Sequence, residues 1–329
     1  MATELRAGLI GLGMMGRHHA RVLRSLAGVR LSAVADAGGD AYGAAAGLDV
    51  GASIQHLIDA GVDYAVVAVP TSNHEEVGLR LAEAGIHALL EKPLAPTGES
   101  ASRLAKAFAD RGLIGAVGHI ERYNPALRSL RSRLEQGELG EIYQVSTRRQ
   151  GPFPARIADV GVVKDLATHD IDLTAWVTQS IYKSVSAHVA FKSGRAYEDL
   201  VAISGLLERG IVANHLVNWL SPFKERKTVV TGEFGAFVAD TLTADLSFYA
   251  NGTGETTWES LAGFRGVTEG DLIRYALGKR EPLQVEHEAF RDAVLGISED
   301  IVTMDEGVAT VRVAEAVLGS AVSGAAVLL

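Results

Sequence analysis

From Leu5 onward the chain alternates short apolar runs with stretches in which apolar residues recur at helical spacing. Leu9-Ile10 closes an apolar strand, and Met14 to Leu26 carries helical periodicity. Leu31 to Ala35 is predicted as a second strand, ending at Asp36. A short alanine-rich helix is expected around Tyr42 to Ala46, and another from Ile54 to Ala60. Tyr64-Ala65-Val66-Val67-Ala68-Val69 is a continuous apolar run, the pattern of a strand buried on both faces. Glu75 to Ala84 reads as helix, His87 to Leu90 as strand, Ser100 to Arg111 as helix and Ile114 to Val117 as strand. Strict alternation of this kind predicts parallel β-α-β units: a doubly wound α/β sheet with helices on both faces.

The pattern changes after about Tyr123. Asn124-Pro125 predicts a helix start, with a capping residue followed by proline in the first turn. Longer alternating segments follow at Glu141 to Gln150, Ser184 to Lys192, Leu200 to Leu207, Ile211 to Trp219 and Lys227 to Val230, with a hairpin turn expected at Glu208-Arg209-Gly210. One helix intrudes, from about Lys164 to Thr178. The second half therefore reads as an α+β domain with an open, largely antiparallel sheet covered on one face. The expected division is 1–122 and 123–329. Near the C-terminus, Val308, Val311, Leu318 and Val322 predict an amphipathic helix; Arg312 and Glu315 leave the region too short in uncharged residues to span a bilayer.

Composition narrows the classes. A length of 329 residues suits two domains and needs no disulfide or metal to supplement the core. Lys plus Arg is 31 and Asp plus Glu is 40, a net charge of −9 that disfavours nucleic acid or anionic membrane as a partner. With no cysteine, thiolate-bound zinc, iron–sulfur clusters and a thiol nucleophile are excluded. Met1-Ala2-Thr3-Glu4 leads directly into an apolar strand and turn rather than a secretory signal, so a cytoplasmic protein is expected.

Gly11-Leu12-Gly13-Met14-Met15-Gly16 is a G-x-G-x-x-G run. In a chain with 36 glycines that spacing alone is weak evidence; its context strengthens it, since a strand precedes, a helix follows and an acidic residue closes the next strand. Gly11 permits the tight turn, Gly13 lets the backbone approach a pyrophosphate and Gly16 lets helix pack on strand, the arrangement of a Rossmann dinucleotide site. Asp36 is expected to accept from the adenosine ribose hydroxyls, and Ala37-Gly38 stand where an NADP site usually places arginine, so the expected cofactor is NAD. Pro70, Thr71, Asn73 and His74 lie just beyond a central strand, on the rim where open parallel sheets bind ligands. Asn73 is equally a helix N-cap candidate, and His74 reads more as a first-turn surface histidine than as a catalytic one.

Glu91-Lys92-Pro93 ends another strand on the same rim, where partial burial would suit Lys92 to a substrate hydroxyl; a charged loop pair is the plainer reading. In Lys164-Asp165-Leu166-Ala167-Thr168-His169-Asp170-Ile171-Asp172, Asp165 and His169 are one helical turn apart, with Asp172 on the same side. That cluster reads as a metal site, a solvated helix start or a helix start facing a cleft; hydride transfer to NAD itself requires no metal, and none is expected. Arg122 is a candidate for cofactor or substrate phosphate, or for a salt bridge between Glu121 and Arg122 or a neighbour. Arg148, Arg149 and Arg156 are candidates for a diphosphate, or for the decoration of a strand edge.

These motifs together resemble the Gfo/Idh/MocA family, the glucose–fructose oxidoreductase and inositol dehydrogenase group, over nearly the whole chain. The resemblance rests on the glycine turn, Thr71 to His74, Glu91-Lys92-Pro93 and Asp165-x-x-x-His169. It implies a catalytic group of Lys92, Asp165 and His169, with Tyr123 also substrate-facing, and Glu91 and Arg122 at the cofactor. The implied reaction is NAD-dependent oxidation of a sugar or polyol secondary alcohol: His169 as general base, Lys92 stabilising the alkoxide, Asp165 orienting both. It also implies a homodimer or homotetramer through the second-domain sheet. Gly118-His119-Ile120-Glu121-Arg122-Tyr123-Asn124-Pro125 resembles the UDP-N-acetylglucosamine 3-dehydrogenase branch. Three alternatives stand beside it: an inositol-type polyol dehydrogenase, a non-redox NAD-binding regulator and an NAD-dependent glycosidase.

Overall fold

The computed structural model describes residues 4–154, 160–252 and 268–329. They form two compact units. The first comprises residues 1–120 with 281–315, and the second 121–280 with 316–329.

In the first unit, strands β1 (Leu5–Ile10), β2 (Val29–Ala35), β3 (Val50–Gly51), β4 (Tyr64–Val67), β5 (His87–Glu91) and β6 (Gly115–Gly118) form a six-stranded sheet. Its order is β3-β2-β1-β4-β5-β6, and every pairing is parallel. Helices α1 (Gly16–Ser25), α2 (Gln55–Asp59), α3 (His74–Glu83) and α4 (Gly98–Ala109) supply the crossovers. All four residues of β4 are buried, as an apolar run without alternation requires. The order reverses direction beside β1 and β4, so the loops after these strands share the edge where such sheets bind ligands.

The expected helix at Tyr42 to Ala46 does not form. Asp40 accepts from the amides of Ala44 (2.6 Å) and Ala45 (2.7 Å), and Ala46 has φ 49°, so the segment is a series of turns. The division of the chain also differs from a single boundary after residue 122. Helix α7 (Pro282–Val294) packs on α1, and Phe290 meets Tyr64 edge-on with ring centroids 5.4 Å apart. Val117 N–H then donates to the Val302 carbonyl (2.9 Å), extending the β6 edge.

The second unit is built on a nine-stranded sheet. Its strands are β7 (Ile142–Pro152), β8 (Tyr182–Ala190), β9 (Leu200–Leu207), β10 (Val212–Asn218), β11 (Leu220–Gly232), β12 (Gly235–Asp240), β13 (Asp245–Gly252), β14 (Thr268–Tyr275) and β15 (Val327–Leu328). They lie in the order β14-β13-β12-β11-β7-β10-β9-β8-β15. Only β7 and β10 pair in parallel; the other pairings are antiparallel. Helix α5 (Pro125–Glu135) starts as expected, with the Asn124 side chain accepting from Ala126 N–H (3.0 Å) and proline in the first turn. It covers β12 and β13, and α6 (Thr168–Thr178) covers β7. The predicted turn at Glu208–Gly210 joins β9 to β10 through positive φ at Arg209 and Gly210. The strand expected at Lys227 to Val230 is longer, because β11 continues its pairing with β7 toward Leu220. The C-terminal helix, α8, spans Met304–Ser323; Gly324 takes positive φ and the chain then pairs as β15 on β8. Among the described residues no helix is long and apolar enough to cross a membrane.

Under α6 a polar chain crosses the sheet: Thr147 Oγ1 bonds His215 Nδ1 (2.7 Å), and Tyr182 OH bonds His215 Nε2 (2.8 Å). Burial drives His215 down to about 3, so it is neutral in the fold. An unfolded histidine binds its proton near 6.5, so the unfolded state holds more protons between these values and stability falls as pH drops from 6.5 toward 3. Melting temperature measured across that range is expected to fall on the acid side. A His215→Gln variant should be less stable at neutral pH and show a shallower acid slope, by on the order of 1 kcal/mol per pH unit.

Candidate active site

The cofactor half is the carboxyl edge of the first sheet. Gly11 has φ +92°, and a Cβ there would lie 2.4 Å from the Ala68 carbonyl oxygen; one on Gly16 would lie 1.9 Å from the Gly11 carbonyl oxygen. Around Gly13 the space is open, with nothing within 4 Å of where a Cβ would stand. The three glycines thus divide the work as their spacing predicts: two for backbone crowding, one for the approach of a ligand. Helix α1 starts with no side-chain cap and no acidic residue in its first turn, so its leading amides suit an anion.

Asp36 ends β2 and accepts from Leu12 N–H (2.6 Å) and Gly38 N–H (2.7 Å). These bonds clamp the carboxylate against the glycine turn and leave further lone pairs for ribose hydroxyls. The residues at this edge therefore fit a dinucleotide.

Pro70 leads into a 3-10 turn over Thr71–Asn73. Asn73 stands at the start of α3, but its side chain makes no capping bond and instead accepts from Ser72 Oγ (3.0 Å). His74 is not a surface histidine: it is 1% exposed, and its ring reaches the carbonyls of Val69 (3.0 Å) and Pro93 (3.0 Å). It braces the loop after β4 against the loop after β5, and burial lowers its proton affinity. Glu91 also turns inward. One carboxylate oxygen bonds His19 Nε2 (2.9 Å) and the other accepts from Lys92 N–H (3.1 Å). Lys92, half-buried, ends the strand at the rim.

In the second unit the expected single helix from Lys164 to Thr178 begins as a π-turn over Val163–Ala167 before α6. Glu198 causes this start: its Oε1 accepts from Val163 N–H (3.0 Å) and its carbonyl from Val162 N–H (3.0 Å). Its carboxylate lies where a Cβ on Gly161 would be, 2.1 Å away, so only glycine admits it. Asp165 sits in the π-turn, buried, and His169 in the first turn of α6, half-buried. Residues four apart remain near one turn in either winding, as the sequence spacing requires.

The arginine expectations change most. Arg122 is 6% exposed and forms a two-pronged pair with Asp172, Nε to Oδ2 at 2.9 Å and Nη2 to Oδ1 at 2.6 Å. Arg149, 4% exposed, bridges Asp170 (2.8 Å) and Glu121 (2.7 Å). Burial alone would lower the Arg149 guanidinium, but the two carboxylates overcome it and hold the charge. Both arginines thus anchor α6 from inside the unit, and Arg149 holds Glu121 as well. Glu121 pairs with Arg149, not Arg122. Asp172 is paired with Arg122, and Tyr123 is 4% exposed. Arg148, on the central strand β7, is exposed on the sheet face and lies 3.9 Å from Glu225, and Arg156 lies outside the described residues. His19, Glu198, Glu286 and His287 had escaped the sequence reading. The available signal for His19 and His287 was a polar residue on the apolar face of a helix.

The model for the oxidoreductase family with NAD-binding Rossmann fold matches residues 5–119, and that for the GFO/IDH/MocA C-terminal domain matches residues 127–238. A UDP-N-acetylglucosamine 3-dehydrogenase of Acidithiobacillus ferrooxidans is 32% identical over 295 residues, covering 88% of this chain and 89% of that protein. Inositol 2-dehydrogenase 2 of Saccharopolyspora erythraea is 31% identical over 336 residues, covering 97% and 94%. A solved structure of the Acidithiobacillus enzyme superposes with a TM-score of 0.82 at 28% identity, over 96% of this chain and 97% of that one.

The glycine geometry separates binding from folding. Gly13→Ala is expected to melt like wild type yet bind NAD on the order of tenfold more weakly, whereas Gly16→Ala should lose about 1–3 kcal/mol of stability by overpacking. Calorimetric titration with NAD and thermal melts of both variants check this.

Proposed function

This chain belongs to the Gfo/Idh/MocA family of oxidoreductases with an NAD-binding Rossmann fold, and on that premise we propose that it oxidises a secondary alcohol of a nucleotide sugar, at C3 of UDP-N-acetylglucosamine or a close analogue. The observation that carries the reading is the joint presence of a rim lysine, Lys92, in the NAD-binding unit and the Asp165/His169 pair at a helix start in the second. The relative of that activity, 32% identical over most of both chains, supports the substrate class.

When bound, NAD supplies the hydride acceptor. The glycine turn and the amides of α1 bind its pyrophosphate, and Asp36 binds the adenosine ribose. Rim residues Pro70 and Thr71 would also help to hold the dinucleotide. His169 takes the hydroxyl proton as general base. Lys92 hydrogen-bonds the same oxygen and offsets its growing negative charge, and Asp165 orients the pair. The whole operates as a cytoplasmic homo-oligomer. Apolar cross-strand pairs on the second-unit sheet support the assembly: Leu206 pairs with Val212, both exposed, and Val229 with Val238.

A free-polyol reading, of the inositol type, is favoured by one observation: Arg122 and Arg149, two candidate diphosphate ligands, already pair with internal carboxylates. The match to an inositol dehydrogenase over 97% of the chain supports it equally.

NADH formation, read by absorbance with UDP-N-acetylglucosamine, myo-inositol and glucose, decides between them. Signal with the nucleotide sugar alone is expected; signal with inositol alone selects the second reading, and none with any sugar defeats both. Lys92→Ala should lower kcat on the order of a hundredfold or more with NAD affinity nearly unchanged. Val229→Glu is expected to shift the sedimentation coefficient from oligomer to monomer; a wild-type monomer removes the assembly.

A further inference from the structure

A buried polar chain ends at the main chain of Lys92, and the reaction as proposed makes no use of it. Glu91 Oε2 accepts from Lys92 N–H, and its Oε1 meets His19 Nε2 at 2.9 Å. The other nitrogen of His19, Nδ1, lies 2.8 Å from His287 Nε2, with the two rings edge-on at 5.1 Å. His19 is 0% and His287 1% exposed. The chain ties together α1, which opens on the glycine turn, β5, which Lys92 directly follows, and α7. Glu286, on α7 and 1% exposed, has neither carboxyl oxygen hydrogen-bonded.

Such a chain is a poor way to gain stability, because apolar side chains of equal volume hold a core at least as well. What hydrogen bonds add is direction. Both oxygens of Glu91 are engaged, and both nitrogens of His19, so neither side chain can rotate without leaving a buried group unpaired. We propose that His19 and His287 are positioning residues for Lys92: acting through Glu91, they hold the end of β5, and with it the lysine, in register with the helix that carries the glycine turn. This rests on the reading of Lys92 as the residue at the reacting oxygen.

The charges facing Glu91 are His19 from α1, Lys92 from its own strand, His74 from α3, and Glu286 and His287 from α7. Burial pushes the Glu91 carboxyl up, but the His19 hydrogen bond, the charges of His19 and Lys92 and the Lys92 amide together hold it below the usual carboxylate range. Burial, reinforced by the charge of Glu91, pushes the Glu286 carboxyl well above the usual carboxylate range. Burial and His19 keep His287 neutral. Without the His19 donor, Glu91 takes up a proton at higher pH and releases its grip on the Lys92 amide.

The test is steady-state kinetics of wild type, His19→Leu, His287→Leu, His287→Gln and Lys92→Ala. It uses NAD and whichever of UDP-N-acetylglucosamine or myo-inositol the wild type oxidises, with NAD affinity measured separately. Both leucine variants should lose on the order of tenfold in kcat with NAD affinity close to wild type. The acid limb of the His19→Leu profile should move to higher pH. His287→Gln, which keeps a donor, should recover most of the rate. Leucine variants with wild-type kcat and pH profile, beside an inactive Lys92→Ala, overturn the network alone; an active Lys92→Ala overturns the reading of Lys92 and this role with it. If the leucine variants do not fold, the imidazole nitrogen spectrum of the wild type decides. A carboxylate can only accept, so a proton on His19 Nε2 supports the chain, and a proton on Nδ1 alone overturns it.

Discussion

Two backbones meet at the end of β1 too closely for any side chain, since a Cβ on Gly16 would stand 1.9 Å from the Gly11 carbonyl oxygen and one on Gly11 2.4 Å from that of Ala68. That crowding sets where α1 begins and how near it lies to the loop after β4. From it follow the uncapped helix start aimed along the sheet edge and the placing of Asp36, whose carboxylate closes on the Leu12 amide. It also sets the depth of His19 on α1, from which the polar chain reaches Glu91 and the lysine beside it. A parallel sheet buried on both faces has only its edges left for chemistry, and this edge is organised from one glycine contact outward.

The second unit solves a different problem. A helix that begins with Asp165, His169, Asp170 and Asp172 brings three buried carboxylates toward a sheet, and two of them, Asp170 and Asp172, lie beside arginines. Arg149 and Arg122 answer those two, while Glu198 supplies an acceptor for the amides of the π-turn. Asp170 and Asp172 are thereby paired within the unit, and the proposed chemistry rests on Asp165 and the half-buried His169. The neutral His215 answers the same constraint inside the sheet without charge: its two ring nitrogens are engaged by Thr147 and Tyr182.

Much of this was legible along the chain. Strict alternation of apolar strands with helical periodicity determined the parallel sheet, and G-x-G-x-x-G followed by Asp36 determined its cofactor edge, because the period of burial and the demand for glycine are local properties of a backbone. The hairpin at Glu208–Gly210 and the Asn124-Pro125 helix start were likewise local. Partner choice was not. Whether Arg122 binds a phosphate or Asp172, whether Glu91 faces a cofactor or His19, and whether 281–315 packs with the first unit or the second depend on residues tens to hundreds of positions away. A charge or an imidazole shows its chemistry in sequence but not its neighbour; burial, which makes an unpaired polar group costly, is decided only when the distant elements have packed.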